Sequence, residues 1–151
     1  MKSLSGNIAL FTIGYSKKKA EEFFQLLIQA KISLLIDVRL NNQSQLAGFT
    51  KKNDLPYFLQ TICSCAYKHI PQWAPTKDIL DDYKKKNITW PEYSERFLEL
   101  VKQRAIEKEA QLLNLDHACF LCSEPQADKC HRRLVAEYLQ KKIGNLSITH
   151  L

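Results

Sequence analysis

The sequence is poor in glycine, with four among 151 residues, at positions 6, 14, 48 and 144. That scarcity excludes several loops that present phosphates or nucleophiles. There is no GxGxxG turn, no GxxxxGK(S/T) loop and no GxSxG elbow. A Cys-x5-Arg loop is excluded too, because the positions six beyond Cys119, Cys122 and Cys130 hold Pro125, Asp128 and Ala136. No HExxH pair occurs. No run of 18 apolar residues is present, so no membrane-spanning helix is expected. Residues 1–6 lack the apolar core of a secretion signal, and the first apolar run, residues 8–13, has only a strand's length. The expectation is a protein of the reducing cytoplasm, whose cysteines are free thiols or metal ligands rather than disulfides.

Apolar residues make up 45% and charged residues 25%, a globular composition that argues against disorder, fibres and coiled coils. The length reads as one domain, residues 1–151, able to bury a core without staples. Lys plus Arg is 22 and Asp plus Glu is 16, giving +6, which permits an anionic partner. The five cysteines are an odd count, and Cys119, Cys122 and Cys130 fall close together.

Along the chain, residues 8–13 predict a buried strand. Ser16 is placed to cap a helix that carries Ala20, Phe23, Phe24, Leu27 and Ile28 at helical spacing. Residues 33–38 predict a second strand that stops at Asp37-Val38-Arg39. A polar loop follows, then a helix that Asn53 is placed to cap, with Pro56 in its first turn. Residues 66–70 predict a third strand. Thr89-Trp90-Pro91-Glu92 reads as a capping box before a helix with Tyr93, Phe97, Leu100 and Val101 on one face. A shorter helix is expected over 110–115, a fourth strand over 118–122, a helix over 130–142 and a last strand over 146–150. The alternation predicts an α/β fold: a single three-layer domain with a mostly parallel sheet of about five strands and helices on both faces. Such sheets bind ligands beyond the carboxyl ends of their strands.

Those ends carry Tyr15 and Ser16, then Asp37 and Arg39, then Tyr67 and His69, then Cys122 and Glu124, with Cys130-His131-Arg132 opening the last helix. On these pieces the chain resembles the family catalogued as domain of unknown function 488. The matching stretches are Thr12-Ile13-Gly14-Tyr15-Ser16, Asp37-Val38-Arg39, Tyr67-Lys68-His69, and Cys122-Ser123-Glu124 followed by Cys130-His131-Arg132. The resemblance implies a compact α/β domain of bacteria and archaea, and no particular reaction. The chain departs from the pattern twice. Leu40-Asn41-Asn42-Gln43-Ser44 lacks a usual proline. Pro71-Gln72-Trp73-Ala74-Pro75 stands where Leu-Gly-Gly is frequent. Both segments are expected to line the pocket.

A thiol near a helix N-terminus, beside His131 and Arg132, is pushed toward thiolate, and the same place suits a phosphate or carboxylate. Cys130 is equally read as a small buried residue beside a basic surface cluster. Glu124 is a candidate general acid or base, or a carboxylate that fixes Arg132 or Arg39. Asp37 and Arg39 share a strand face, which suits one ligand or a structural pair. Tyr67 and His69 also share a face, and His69 is a candidate proton shuttle or a structural histidine. Trp73, Trp90 and the tyrosines are candidate stacking partners for a base. Cys119-x2-Cys122-x7-Cys130-His131 supplies four potential zinc ligands, but with one Cys-x2-Cys pair on an apolar strand no metal is expected, and no cofactor.

The favoured function is an enzyme acting on an anionic ligand, such as a nucleotide or nucleic acid, at the strand ends. Its catalytic candidates are Glu124, Cys122, Cys130, Asp37 and His69. Its ligand-binding candidates are Tyr15, Ser16, Arg39, Tyr67, His131 and Arg132. The alternatives are a non-catalytic nucleotide or nucleic-acid binding module and a zinc-binding domain.

Overall fold

Five short apolar runs supply the strands of one parallel sheet. In the computed structural model, which describes residues 6–42 and 48–151, they are β1 (Ile8–Gly14), β2 (Leu34–Asp37), β3 (Ala66–His69), β4 (Ala118–Cys122) and β5 (Leu146–His150). Their order is β3-β2-β4-β1-β5, and every neighbouring pair is parallel. A parallel sheet is covered on both faces, and central β4, apolar throughout, is buried at every position.

The helices are α1 (Ala20–Gln29), α2 (Leu55–Phe58) running on into a π-helical turn (Leu59–Cys63), α3 (Lys77–Lys84), α4 (Trp90–Arg104), α5 (Ile106–Ala110) and α6 (His131–Ile143). α1 and α2 pack on one face with Ile13, Leu35 and Leu121. α3 to α6 pack on the other with Leu10, Ile36 and Phe120. Right-handed crossovers explain the division. β1 to β2 to β3 steps in one direction across the sheet and β3 to β4 to β5 steps back, so the two sets of connections fall on opposite faces. β4 therefore lies between β1 and β2, whose onward connections leave by the opposite face. A crevice beyond the carboxyl ends opens at such a reversal, here where the chain leaves Cys122.

Several local expectations are corrected. Ser16 does not cap α1; the N-cap is Lys19, and the Ser16 N–H donates to the Ser123 carbonyl at 3.0 Å. Asp54, not Asn53, precedes α2, and it makes no side-chain cap bond. The helix expected over 110–115 lies a turn earlier. Ala105 ends α4 in the left-handed region (φ 50°), Ile106 and Ala110 then face the core, and Leu112 is left 86% exposed. Trp73 presents no exposed face to a ligand. It is fully buried, edge-on to Phe120 at 5.5 Å, with Nε1 donating to Glu109 at 3.2 Å. Arg104 fastens that segment by donating to the Gln72 and Ala74 carbonyls. Trp90 lies stacked on Tyr93 at 5.1 Å. Of the other divergent loop, Gln43 and Ser44 lie outside the described residues. No helix among the described residues is long and apolar enough to cross a membrane.

The capping box forms as the sequence predicts. The Glu92 N–H donates to the Thr89 hydroxyl at 3.3 Å and the Thr89 N–H to the Glu92 carboxylate at 2.9 Å. Thr89→Ala is expected to cost about 1 kcal/mol, read from the urea midpoint at unchanged slope.

Candidate functional site

Side chains alternate across a strand, and that alternation divides the residues at the carboxyl edge into two clusters. Cys119 and Leu121 point to the α1 side, whereas Phe120 and Cys122 point to the α6 side. The sequence reading gathered all strand-end residues on one edge. They do share the edge, but Asp37, Arg39, Tyr67 and Tyr15 meet on the α1 side, and Cys122, Cys130, His131 and Arg132 on the α6 side.

The first cluster is a closed network. Arg39 grips Asp37 with two parallel bonds, Nε to Oδ1 at 2.8 Å and Nη2 to Oδ2 at 2.7 Å. Both side chains are buried, and burial works against the Arg39 charge, yet the Asp37 carboxylate raises its pKa above the ordinary value. Two further guanidinium N–H groups go to the hydroxyl and carbonyl of Thr50. The Tyr67 hydroxyl donates to Asp37 Oδ2 at 2.6 Å and accepts from Asn42 at 3.1 Å, and burial next to that carboxylate pushes its pKa well up. The Tyr15 ring lies under the guanidinium at 5.3 Å, and His69 Nε2 donates to the Arg39 carbonyl at 2.7 Å. These groups satisfy one another.

The second cluster is built where β4 ends and α6 begins. Cys130 is the N-cap of α6, His131 its first residue, and Cys122 the last residue of β4. His131 Nε2 lies 2.7 Å from the Val38 carbonyl. A carbonyl only accepts, so Nε2 carries a proton, and in the neutral ring Nδ1 presents its lone pair to the Cys122 sulfur, 3.5 Å away. The Cys122 thiol is held below its ordinary pKa. The Cys130 thiol contributes most, with the Glu124 and Ser123 N–H groups and the Arg132 charge helping against burial. Cys130 is pushed well above the ordinary value, first by its bond to Cys122 and then by burial. The other cysteines are packing residues: burial raises Cys119, raises Cys63, and drives Cys65 to about 12.

Arg132 is fully buried and forms no ion pair with an acidic side chain among the described residues. Its Nε donates to the Thr12 hydroxyl at 3.1 Å and its Nη1 to the Glu124 carbonyl at 2.6 Å. Glu124 thus takes the arginine through its main chain, while its carboxylate is exposed. The loop reaches this position because residue 14 is glycine; a Cβ there would lie 1.6 Å from the Glu124 oxygen. Burial and the charge of Arg132 lower the pKa of Lys18, near the end of the β1–α1 loop.

Sequence reasoning missed Thr12, Lys18, Asn42, Thr50 and His150 as members of these clusters. Two of them had a signal. Thr12 is a lone polar residue in an apolar strand, and His150 is polar at a strand end. Asn42 and Thr50 come from a loop whose path no local pattern encodes. An apolar groove among Phe24, Phe49, Phe58 and Ile62 opens beside α1; with Glu21 as its one charged lining residue, it is no anion site.

Two outcomes test this geometry. Asp37→Asn leaves the Arg39 charge buried without its counter-ion and is expected to cost about 3–5 kcal/mol in urea unfolding. A loss within error of zero would show the pair to be inert. The Thr12 hydroxyl also contacts His150 Nδ1 at 2.6 Å. Burial first, then the Arg132 charge, with Arg133 adding and Glu137 opposing, holds His150 below its ordinary 6.5. The unfolded chain therefore takes up this proton before the folded one. The contribution is fully present above about pH 6.5 and is lost as pH falls through the folded value. His150→Gln is expected to flatten the fall in melting temperature between about pH 7 and 5; parallel curves for both proteins would count against it.

No curated protein and no solved structure matches the chain. The profile of the family described as "Domain of unknown function DUF488" matches residues 19–139. The match takes in Asp37, Arg39, Tyr67, His69 and the whole stretch from Cys122 to Arg132, and stops short of Thr12, Gly14 and β5. Covering most of the chain, it shows that the protein belongs to the DUF488 family.

Proposed function

We propose that the protein binds an anionic ligand, a nucleotide or a nucleic-acid segment, over the carboxyl ends of β1 and β4, and acts on it as an enzyme. The observation that carries this reading is Arg132. A buried guanidinium is ordinarily balanced by a carboxylate, and here its described partners are a hydroxyl and a carbonyl. Its charge is felt at Lys18, Cys122 and His150. An anion seated outside the 123–130 loop would complete that field. Lys17 and Lys19, exposed beside the half-buried Lys18, and Lys129 supply further cations at the rim. The positive end of the α6 dipole lies at the same place.

Glu124 keeps its carboxylate in solvent at this rim, so it takes the proton-transfer role. Asp37, Arg39, Tyr67 and His69 frame the strand ends rather than touch the ligand. The ligand-facing part falls to Ser16, Lys18 and the 123–130 loop, with Arg132 acting through its field. The reaction takes place in a reducing compartment, where all five cysteines stay thiols.

The self-satisfied Asp37 network favours a second reading, a binding module without turnover, because it commits Asp37 and His69 to the frame and leaves proton transfer to Glu124 alone. One set of measurements separates the two. Thermal shift with nucleotides and a short single-stranded oligonucleotide is expected to raise the melting temperature. Lys18→Gln should weaken the effective ligand several-fold, and oligonucleotide affinity should fall steeply with salt. Glu124→Gln should then abolish turnover of that ligand while binding persists. Binding without any turnover by the wild type selects the module. No shift with any anion, or an affinity indifferent to Lys18, refutes both.

A further inference from the structure

Cys122, Cys130 and His131 bring two Sγ atoms and Nδ1 within 4.8 Å of one another, and all three residues are buried. The separation that bears most on their use is Cys122 Sγ to His131 Nδ1, 3.5 Å. A tetrahedral zinc ion with sulfur at about 2.3 Å and nitrogen at about 2.0–2.1 Å holds neighbouring ligand atoms roughly 3.5–3.8 Å apart. The histidine is also set as a ligand. Its Nε2 proton is committed to the Val38 carbonyl at 2.7 Å, so the neutral ring offers Nδ1, the nitrogen that faces the Cys122 sulfur, as the ligand atom. Histidines that ligate metals are fixed in this way by a carbonyl or carboxylate on the far ring nitrogen. The donors come from the end of β4 and the start of α6, both rigid elements.

We infer that Cys122, Cys130 and His131 form a three-ligand site for a thiophilic divalent cation, zinc foremost, with the fourth position left to water or to a ligand's donor atom. The set differs from the four-residue spacing visible in the sequence. Cys119 cannot join it, because alternation along β4 turns Cys119 to the opposite face, where it packs with Cys65 and Leu121. Two thiolates and one imidazole with an open position match the ligand set of catalytic zinc, whereas structural zinc is closed by a fourth protein ligand. The inference does not rest on the anion-site reading, since it uses different side chains and a different readout.

The test is metal content and cobalt spectroscopy on the full chain. Protein purified with zinc present and then cleared of free metal is expected to hold one equivalent by elemental analysis. Cobalt added to the apoprotein should produce a thiolate-to-cobalt charge-transfer band with tetrahedral ligand-field absorption. Cys130→Ser and Cys122→Ser should each weaken binding at least tenfold and reduce the band, while Cys119→Ser retains both. If a serine variant fails to fold, the wild-type cobalt spectrum decides by itself. Three results would each overturn the inference: no stoichiometric metal together with no cobalt–thiolate band in the wild type; equal loss in Cys119→Ser; or a Cys122–Cys130 disulfide, read as two missing hydrogens by mass, that persists when zinc is supplied.

Discussion

The carboxyl edge of the sheet depends on one buried guanidinium. Arg132 spans from α6 to the Thr12 hydroxyl in β1 and to the Glu124 carbonyl beyond β4. That span requires the loop to lie on the backbone of β1, and residue 14 permits this only as glycine, because a Cβ would occupy the place of the Glu124 oxygen. The rest follows. With the loop down, the Tyr15 and Ser16 N–H groups continue the β1–β4 ladder onto Cys122 and Ser123. Cys130 and His131 then start α6 directly over the end of β4. Among the described residues the arginine gains no compensating carboxylate from this arrangement; a hydroxyl and a main-chain carbonyl are its partners.

Much of this was legible in the sequence, and for identifiable reasons. The strand ending at Cys122 is an unbroken apolar run, and a strand buried on both faces must look so. The Thr89–Glu92 box marks the start of α4 because both halves of its reciprocal bond lie within four residues. Where the reading failed, the deciding contact was distant. Ser16 resembles a cap, but its N–H is taken by Ser123, more than a hundred residues on. Trp73 resembles an exposed stacking platform, but Phe120 and Glu109 hold it inside.

The site shows the same boundary. Residue types at strand ends located the edge correctly, since a parallel sheet collects them there. Which of them look outward depends on which face each strand position presents, and that depends on the strand order. The end of β2 and the two residues after it present Asp37 and Arg39 to one side and Val38 to the other. The motif that reads as one constellation is therefore two, a saturated acid–base frame and a thiol–imidazole–guanidinium cluster.

The two are nonetheless joined by a single peptide unit. The Val38 carbonyl that fixes the His131 tautomer leads directly into Arg39, whose main-chain N–H and guanidinium both bond Asp37. A ring that turns on the α6 side must release or carry that carbonyl, whose peptide plane also holds the Arg39 N–H that bonds Asp37. The sheet, usually a partition between two helical layers, has at residue 38 a peptide whose carbonyl serves one face and whose N–H serves the other.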